Sequence, residues 1–150
     1  MPLQSEPTVV PGILLSDLSI VEHGTSKRTV VGCFDHLMFP QFPATYGRFF
    51  VTAWIANLAG SVSQIELTCR IEETSGHVMF STASTLNFNT PHTFEQTQVV
   101  ALAVPVLGLV FQKAGLYTVV LLLNGEEVGR RDFNVSLLPP PRPSAPPSSG

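Results

Sequence analysis

The chain has 150 residues, of which 13% are charged, and a formal net charge of −3 at pH 7. This length suits one domain, and a hydrophobic content of 44% can supply its core without metal or disulfide cross-links. The small negative charge and the scattered basic residues argue against binding to nucleic acid or to anionic membranes.

Residues 1–12 lack the basic start and the long apolar stretch of a secretory signal, and we interpret them as an N-terminal extension. We therefore expect a cytoplasmic protein in which Cys33 and Cys69 stay reduced and buried. The longest apolar run covers residues 99–111, which is shorter than the roughly 20 residues of a membrane helix. Pro105 and Gly108 also interrupt it, so we expect no membrane-spanning segment.

Two-residue periodicity predicts β-strands along most of the chain. The N-terminal half contains LLSDLSIVEH and RTVVGCFDHLM, joined by a Gly-containing turn at residues 24–27, followed by the aromatic and β-branched segment YGRFFVTAWIAN. These segments predict strands at residues 14–23, 28–38 and 46–57.

The clearest strand is QIELTCRIE, in which Ile65, Leu67, Cys69 and Ile71 share one face and polar side chains share the other. HVMFSTASTLNF, residues 77–88, returns after a turn as the second strand of a hairpin. TFEQTQVVALAV follows as a strand that Pro105 is expected to end, because proline cannot donate to a central ladder.

Residues 116–135 predict a C-terminal hairpin with Asn124-Gly125 at its tip. This dipeptide favours the positive φ angles of a type I′ turn, whose twist matches paired strands. In the first strand of this hairpin Tyr117, Val119 and Leu121 share one face, while Val120 and Leu122 occupy the other. We therefore expect this strand to be covered on both sides.

About eight strands with short turns predict an all-β fold, an antiparallel two-sheet β-sandwich with an immunoglobulin-like or Greek-key tendency. A jelly-roll connection is equally compatible with the pattern. The segment KAGLYTV resembles the tyrosine corner of such folds, in which the hydroxyl, here of Tyr117, bonds back to the chain. The alternative is that Tyr117 is an ordinary core aromatic residue.

We assign residues 13–137 to the β-sandwich domain and residues 138–150 to a Pro-rich disordered tail. Six of the thirteen prolines lie between Pro139 and Pro147, which favours extended polyproline II structure. The tail contains P-x-x-P patterns that partner domains recognise, although a simple linker has the same composition.

The sequence predicts no catalytic, metal-binding or cofactor-binding site. The four histidines lack metal-ligand spacing, the three aspartates are far apart in sequence, and no phosphate-binding or nucleophile motif occurs. Asp35-His36 is the one acid–imidazole pair, but neighbouring side chains in a strand point to opposite faces. An enzyme that uses Asp35 or His36 is therefore the weakest of three functional hypotheses.

Three segments together resemble small bacterial proteins of unassigned function: TVVGCFDHLMFPQFP, RFFVTAWI and FQKAGLYTVVLLLNGEEVGRRDFNV. The shared pattern is a strand that ends in Gly-x-Phe-Asp, a connection that contains proline, and an Ala/Pro-Gly-x-Tyr strand that closes in a Gly-tipped hairpin. The resemblance implies a bacterial β-sandwich and no activity. Its matching positions are Gly32, Phe34, Asp35, Pro43, Gly115, Tyr117, Gly125 and Phe133.

The two Phe-Pro pairs at residues 39–43 allow two interpretations. Phenylalanine before proline favours extended geometry, so the rings of Phe39 and Phe42 can project the same way. They either cap the open end of the core or form an exposed apolar patch that marks an interface.

The favoured hypothesis is a non-enzymatic protein-interaction or assembly module that binds a protein partner or itself. Its candidate interaction surface consists of Phe39 and Phe42 together with Val106 and Leu109 in the second apolar segment. The alternative is a small-ligand-binding β-sandwich, with a pocket at the loop end near Phe39, Phe42, Tyr46 and Trp54.

Overall fold

The computed structural model describes residues 8–25, 27–56, 60–94 and 99–148. Within these residues the chain forms nine β-strands and no helix. The described residues form no helix that is long and apolar enough to cross a membrane. The strands are β1 (Thr8–Val21), β2 (Arg28–Phe34), β3 (His36–Phe39), β4 (Ala44–Ala56), β5 (Gly60–Glu73), β6 (Val78–Phe94), β7 (Val100–Phe111), β8 (Gly115–Leu123) and β9 (Glu126–Leu137).

The strands form two sheets. The first sheet has the order β2-β1-β4-β7 and is antiparallel throughout. The second sheet has the order β3-β9-β8-β5-β6, and in it β3 pairs with β9 in parallel. The prediction of purely antiparallel sheets was therefore wrong at β3. The reason is a bend at Asp35 that divides the segment predicted as one strand, residues 28–38, between the two sheets.

One hydrophobic core takes side chains from both sheets. Its largest fully buried members are Tyr117, Phe49, Phe111 and Phe133, and the rings of Tyr117, Phe111 and Phe133 contact one another. The predicted alternation in β5 and β8 is confirmed, since Ile65, Leu67, Cys69, Ile71, Tyr117, Val119, Leu121 and Leu123 are all buried.

The predicted type I′ turn is present, because Asn124 and Gly125 have φ angles of 51° and 83°. Asn124 also fastens the turn to β5. Its side-chain oxygen accepts a hydrogen bond from the Glu66 amide at 2.9 Å, and its own amide donates to the Glu66 carbonyl at 2.8 Å. The hairpin tip is therefore held against the neighbouring strand.

The prediction that Pro105 ends a strand was wrong, because β7 continues through it to Phe111. β7 is the outermost strand of the first sheet and pairs only with β4, where Pro105 lies opposite Phe50. An edge strand tolerates proline because its missing amide can face solvent. The middle of the predicted strand, residues 95–98, lies outside the described residues.

A pair of glycines inverts the faces of β4 and β7. Gly47 and Gly108 lie across from each other, and Gly108 has a φ of 61°, in the left-handed region that favours glycine. On one side of this crossing Leu109 points inward, and on the other Val106 does, although they are three residues apart. Strict alternation cannot place both side chains in the core, so the inversion is required.

A second kink folds the β1–β2 hairpin back over the first sheet. Gly32 has a φ of 70° and lies so close to Asp17 that a Cβ at this position would be 2.6 Å from the Asp17 carboxylate. Beyond the kink Ser19 Oγ lies 3.3 Å from Thr52 Oγ1, although Thr52 pairs with Leu14, five residues before Ser19. The folded hairpin explains why Thr52 is fully buried on the outer face.

Candidate interaction surface

The most exposed large hydrophobic side chain in the described part of the chain is Leu107, at 60%. It lies on the outer face of the first sheet, where its register partner is Arg48. The same face carries Phe50 opposite Pro105, and Trp54 further along β4. We call this surface the β4–β7 face and define it by Arg48, Phe50, Pro105 and Leu107.

The β4–β7 face has a simple electrostatic character. Arg48 is the only charged residue in β4, and β7 has none. The Arg48 guanidinium lies 5.4 Å from the centre of the Phe50 ring, a cation–π contact. Within the described residues Arg48 forms no ion pair. The face is thus apolar and carries one positive charge.

The Phe-Pro loop packs against the end of the core. The Phe39 ring centre lies 5.7 Å from that of Phe111, 6.1 Å from that of Phe42 and 6.2 Å from that of Tyr46. Phe39 and Phe42 are half-buried, as the capping interpretation predicts. The Phe42–Pro43 peptide bond is cis.

Two residues of the predicted interaction surface lie in the core instead. Val106 is fully buried and Leu109 is 4% exposed, so their assignment to an exposed surface was wrong. The face inversion at Gly108 turns both side chains inward and leaves Leu107 and Val110 exposed.

The predicted ligand pocket does not form as a unit. Trp54 lies eight residues along β4 from Tyr46, roughly 26 Å at about 3.3 Å per residue. It also lies on the outer face, whereas Tyr46 contacts Phe34, Phe39 and Phe49 beside the core. The fold therefore separates Trp54 from the loop-end aromatic residues.

Tyr46 has a structural partner in Asp17. Its hydroxyl donates a hydrogen bond to the Asp17 carboxylate. Burial, this hydrogen bond and the negative charge of Asp17 raise the pKa of Tyr46 to about 12. The phenol is thus neutral at physiological pH and holds the kinked part of β1 against β4.

A groove of about 250 Å³ is lined by polar residues that are far apart in the sequence. Asp35 and His36 share it with Asp132 and Asn134, because β3 lies beside β9. His36 Nε2 lies 2.6 Å from Ser136 Oγ, and Asp132 accepts a hydrogen bond from Thr118 at 2.7 Å. No three potential metal ligands converge anywhere in the described residues.

A second groove, of about 270 Å³, lies beside the corner where the chain crosses from β7 to β8. The Tyr117 hydroxyl donates to the Lys113 carbonyl at 2.6 Å, which is the bond that the tyrosine-corner motif predicts. Burial and the negative charge of Glu73 raise the pKa of Tyr117, and the groove also contains Lys113.

The two cysteines differ in environment. Cys69 is buried, and burial raises the pKa of its thiol to about 12. Cys33 is exposed, so its predicted burial was wrong. It lies on β2, an outermost strand, next to the Gly32 kink that carries this hairpin away from the core.

Comparison with known proteins assigns the chain to a family. A family model matches residues 12–136, most of the chain. The chain belongs to DUF6941, a family of unknown function. No curated protein is significantly similar to this DUF6941 sequence.

The solved structures that resemble this DUF6941 chain include the Pseudomonas fluorescens alkylpurine DNA glycosylase AlkC bound to DNA containing an abasic site analog. The sequence identity is 12% and the TM-score is 0.45, over 91% of this chain and 31% of that chain. A likeness at this level carries no argument about function.

Sequence reasoning missed the residues that define the β4–β7 face of this DUF6941 protein. Arg48 and Phe50 were treated only as part of a strand, and the surface of β7 was assigned to the wrong side chains. A signal was present in the sequence: Gly47 and Gly108 lie inside two apolar strands, where glycine marks a kink or a bulge.

Proposed function

We propose that this DUF6941 protein is a non-enzymatic interaction module that binds a protein partner through the β4–β7 face, and that its two sheets form a β-sandwich. The observation that carries the proposal is the exposure of Leu107 on a face where Phe50 and Pro105 lie beside one positive charge, that of Arg48. Apolar patches of this kind mark interaction sites on proteins.

The chemistry of the face defines the partner. Apolar side chains with aromatic and arginine neighbours have the composition of the energetically dominant part of an interface. The guanidinium of Arg48, which forms no ion pair with the residues that the structure describes, favours a carboxylate on the partner, placed beside apolar groups that cover Leu107. The expected partner surface is therefore an Asp or Glu next to aliphatic or aromatic side chains.

The polar groups elsewhere support a non-catalytic role. His36 lies within hydrogen-bond distance of Ser136, Asp132 accepts a hydrogen bond from Thr118, and the pKa of Tyr46 is raised to about 12, further from neutral pH than its ordinary value of 10. A catalytic acid or base needs a pKa near the working pH and free access to a substrate. These side chains instead brace neighbouring strands.

A site-specific cross-linking experiment tests the proposal. A photoreactive phenylalanine analogue replaces Leu107 in the full-length protein, and the matched control places it at Leu137, which is 57% exposed on β9. We expect one partner to cross-link from position 107 only, through a peptide that contains Asp or Glu beside apolar residues.

Binding of that purified partner then decides the energetics. Leu107→Asp and Arg48→Glu should each raise the dissociation constant at least tenfold, and Leu137→Asp should leave it unchanged. Two results would refute the β4–β7 face as the binding site. One is equal cross-linking from positions 107 and 137, and the other is a dissociation constant that Leu107→Asp leaves unchanged.

A further inference from the structure

Three of the four outermost strands carry features that discourage pairing with another chain. β7 contains Pro105 and the kink at Gly108, β3 has only four residues, and β2 carries Arg28 and the kink at Gly32. Proline, charge, bulges and short length are the usual protections of a sheet edge. β6 is the remaining edge.

The part of β6 from Phe80 to Asn87 lacks these protections. The whole strand has 17 residues and contains no Asp, Glu, Lys or Arg. Its first proline is Pro91, and its register with β5 is regular from Phe80 to Asn87. The segment between them therefore presents a straight row of backbone amides and carbonyls on the side away from β5.

We propose that β6 pairs with β6 of a second copy of this chain, antiparallel and with the two-fold axis at Ala83. The pairing would join two five-stranded sheets into one continuous ten-stranded sheet across the dimer. A two-fold interface uses the same patch on both copies, and an antiparallel strand pair satisfies that symmetry.

The inner face of β6 favours this register. Phe80 and Leu86 point to the same face, because they pair with the buried residues Ile71 and Ile65. With the axis at Ala83, Leu86, which is 41% exposed, lies opposite Phe80 of the second copy. Aromatic and aliphatic side chains that face each other across two strands stabilise a sheet.

The outer face contains no charge conflict. Ala83 meets its own counterpart, and Ser81 lies opposite Thr85 of the second copy, so no like charges oppose each other. On β5, Arg70 is beside Ser81 and Glu66 is beside Thr85. Each row of side chains across the dimer therefore runs from Arg70 on one copy to Glu66 on the other, with opposite charges at its ends.

The contact is short, which sets its strength. Eight residues at about 3.4 Å each form a contact roughly 27 Å long and one strand wide, which buries less surface area than a standard protein–protein interface. We therefore expect a dimer that dissociates on dilution through the micromolar range. Because the β4–β7 face stays exposed, the dimer would present that face twice, although the pairing does not depend on the proposed function.

Sedimentation velocity at protein concentrations from about 1 to about 300 micromolar, the range in which a weak dimer dissociates, measures whether the chain dimerises. Ala83→Lys places two lysines opposite each other at the axis and should raise the dimer dissociation constant at least tenfold. The matched control Thr29→Lys, on exposed β2, should behave like the wild type. Circular dichroism verifies that each variant is folded.

Disulfide trapping tests the register. In a Cys33→Ser background, which removes the exposed thiol, Ala83→Cys should form a covalent dimer under mild oxidation, since directly opposed residues have Cα atoms roughly 4.5–5.5 Å apart. Thr29→Cys in the same background should form no covalent dimer.

Three outcomes would overturn the proposal. They are a monomer at every concentration, a dimer that survives Ala83→Lys, and a dimer that Leu107→Asp abolishes while Ala83→Lys does not. The last outcome would place self-association on the β4–β7 face and leave the proposed function standing, so the two proposals fail separately.

Discussion

The outer faces of the two sheets differ in how they cover an outward-pointing apolar side chain. On the second sheet Val120 points outward yet is fully buried, because Arg70 and Arg130 flank it on the neighbouring strands. Their aliphatic stems cover the valine, and their charged ends form ion pairs with Glu72 and Glu127. On the first sheet Leu107 remains 60% exposed beside Arg48, which forms no ion pair within the described part of the chain.

This difference shows that exposed apolar area on the β4–β7 face is not a general consequence of a low charge content. On the second sheet the same chain covers an outward valine with the stems of two arginines. The β4–β7 face leaves Leu107 uncovered and keeps the composition of an interface.

The largest expected effect comes from placing one carboxylate on each face. Val120→Asp buries a charge and should lower the free energy of unfolding by about 3 kcal/mol or more. Leu107→Asp leaves the charge in solvent and should change it by less than about 0.5 kcal/mol. Urea denaturation measures the free energy of unfolding of both variants. Equal losses of stability would show that the two outer faces do not differ in this way.

Truncation of one arginine on each face should give a smaller difference. Arg70→Ala uncovers Val120 and leaves Glu72 without its partner at 3.2 Å, so we expect a loss of about 1 kcal/mol. Arg48→Ala removes only an exposed cation–π contact, worth about 0.5 kcal/mol. Thermal unfolding ranks the two variants, and a larger loss for Arg48→Ala would contradict the idea that arginines shield only the second sheet.

The smallest expected effect is a pH dependence confined to the second sheet. The hydrogen bonds from Arg130, at 2.5 and 2.9 Å, lower the pKa of Glu127 below its ordinary value of 4.5. A lowered pKa in the folded state stabilises the protein above the unfolded value, and this stabilisation is lost as pH falls through the folded value.

Because the pair is exposed, its contribution should be small and should shrink further in high salt. Glu127→Gln should slightly flatten the acid side of the stability profile. Gln112→Glu, on an exposed loop, serves as a charge control. An acid limb that is identical in wild type and Glu127→Gln would show that this ion pair adds nothing measurable.

Local chemistry determined much of this protein from the sequence. Alternation placed Ile65, Leu67 and Cys69 on the buried face of β5, because a strand turns each successive side chain by half a turn. Asn124-Gly125 specified its own turn, since few other dipeptides accept two positive φ angles. These features depend on a few neighbouring residues.

Tertiary structure decided what local patterns leave open. Whether Pro105 ends a strand depends on whether that strand is central or at an edge, and the order of strands in a sheet is set by contacts far apart in sequence. The inversion at Gly47 and Gly108 requires two strands to kink together, so the sequence of β7 alone did not show that Val106 is buried and Leu107 exposed. The β4–β7 face and the unprotected edge of β6 exist only once the strands are paired, because exposure is a property of the whole fold.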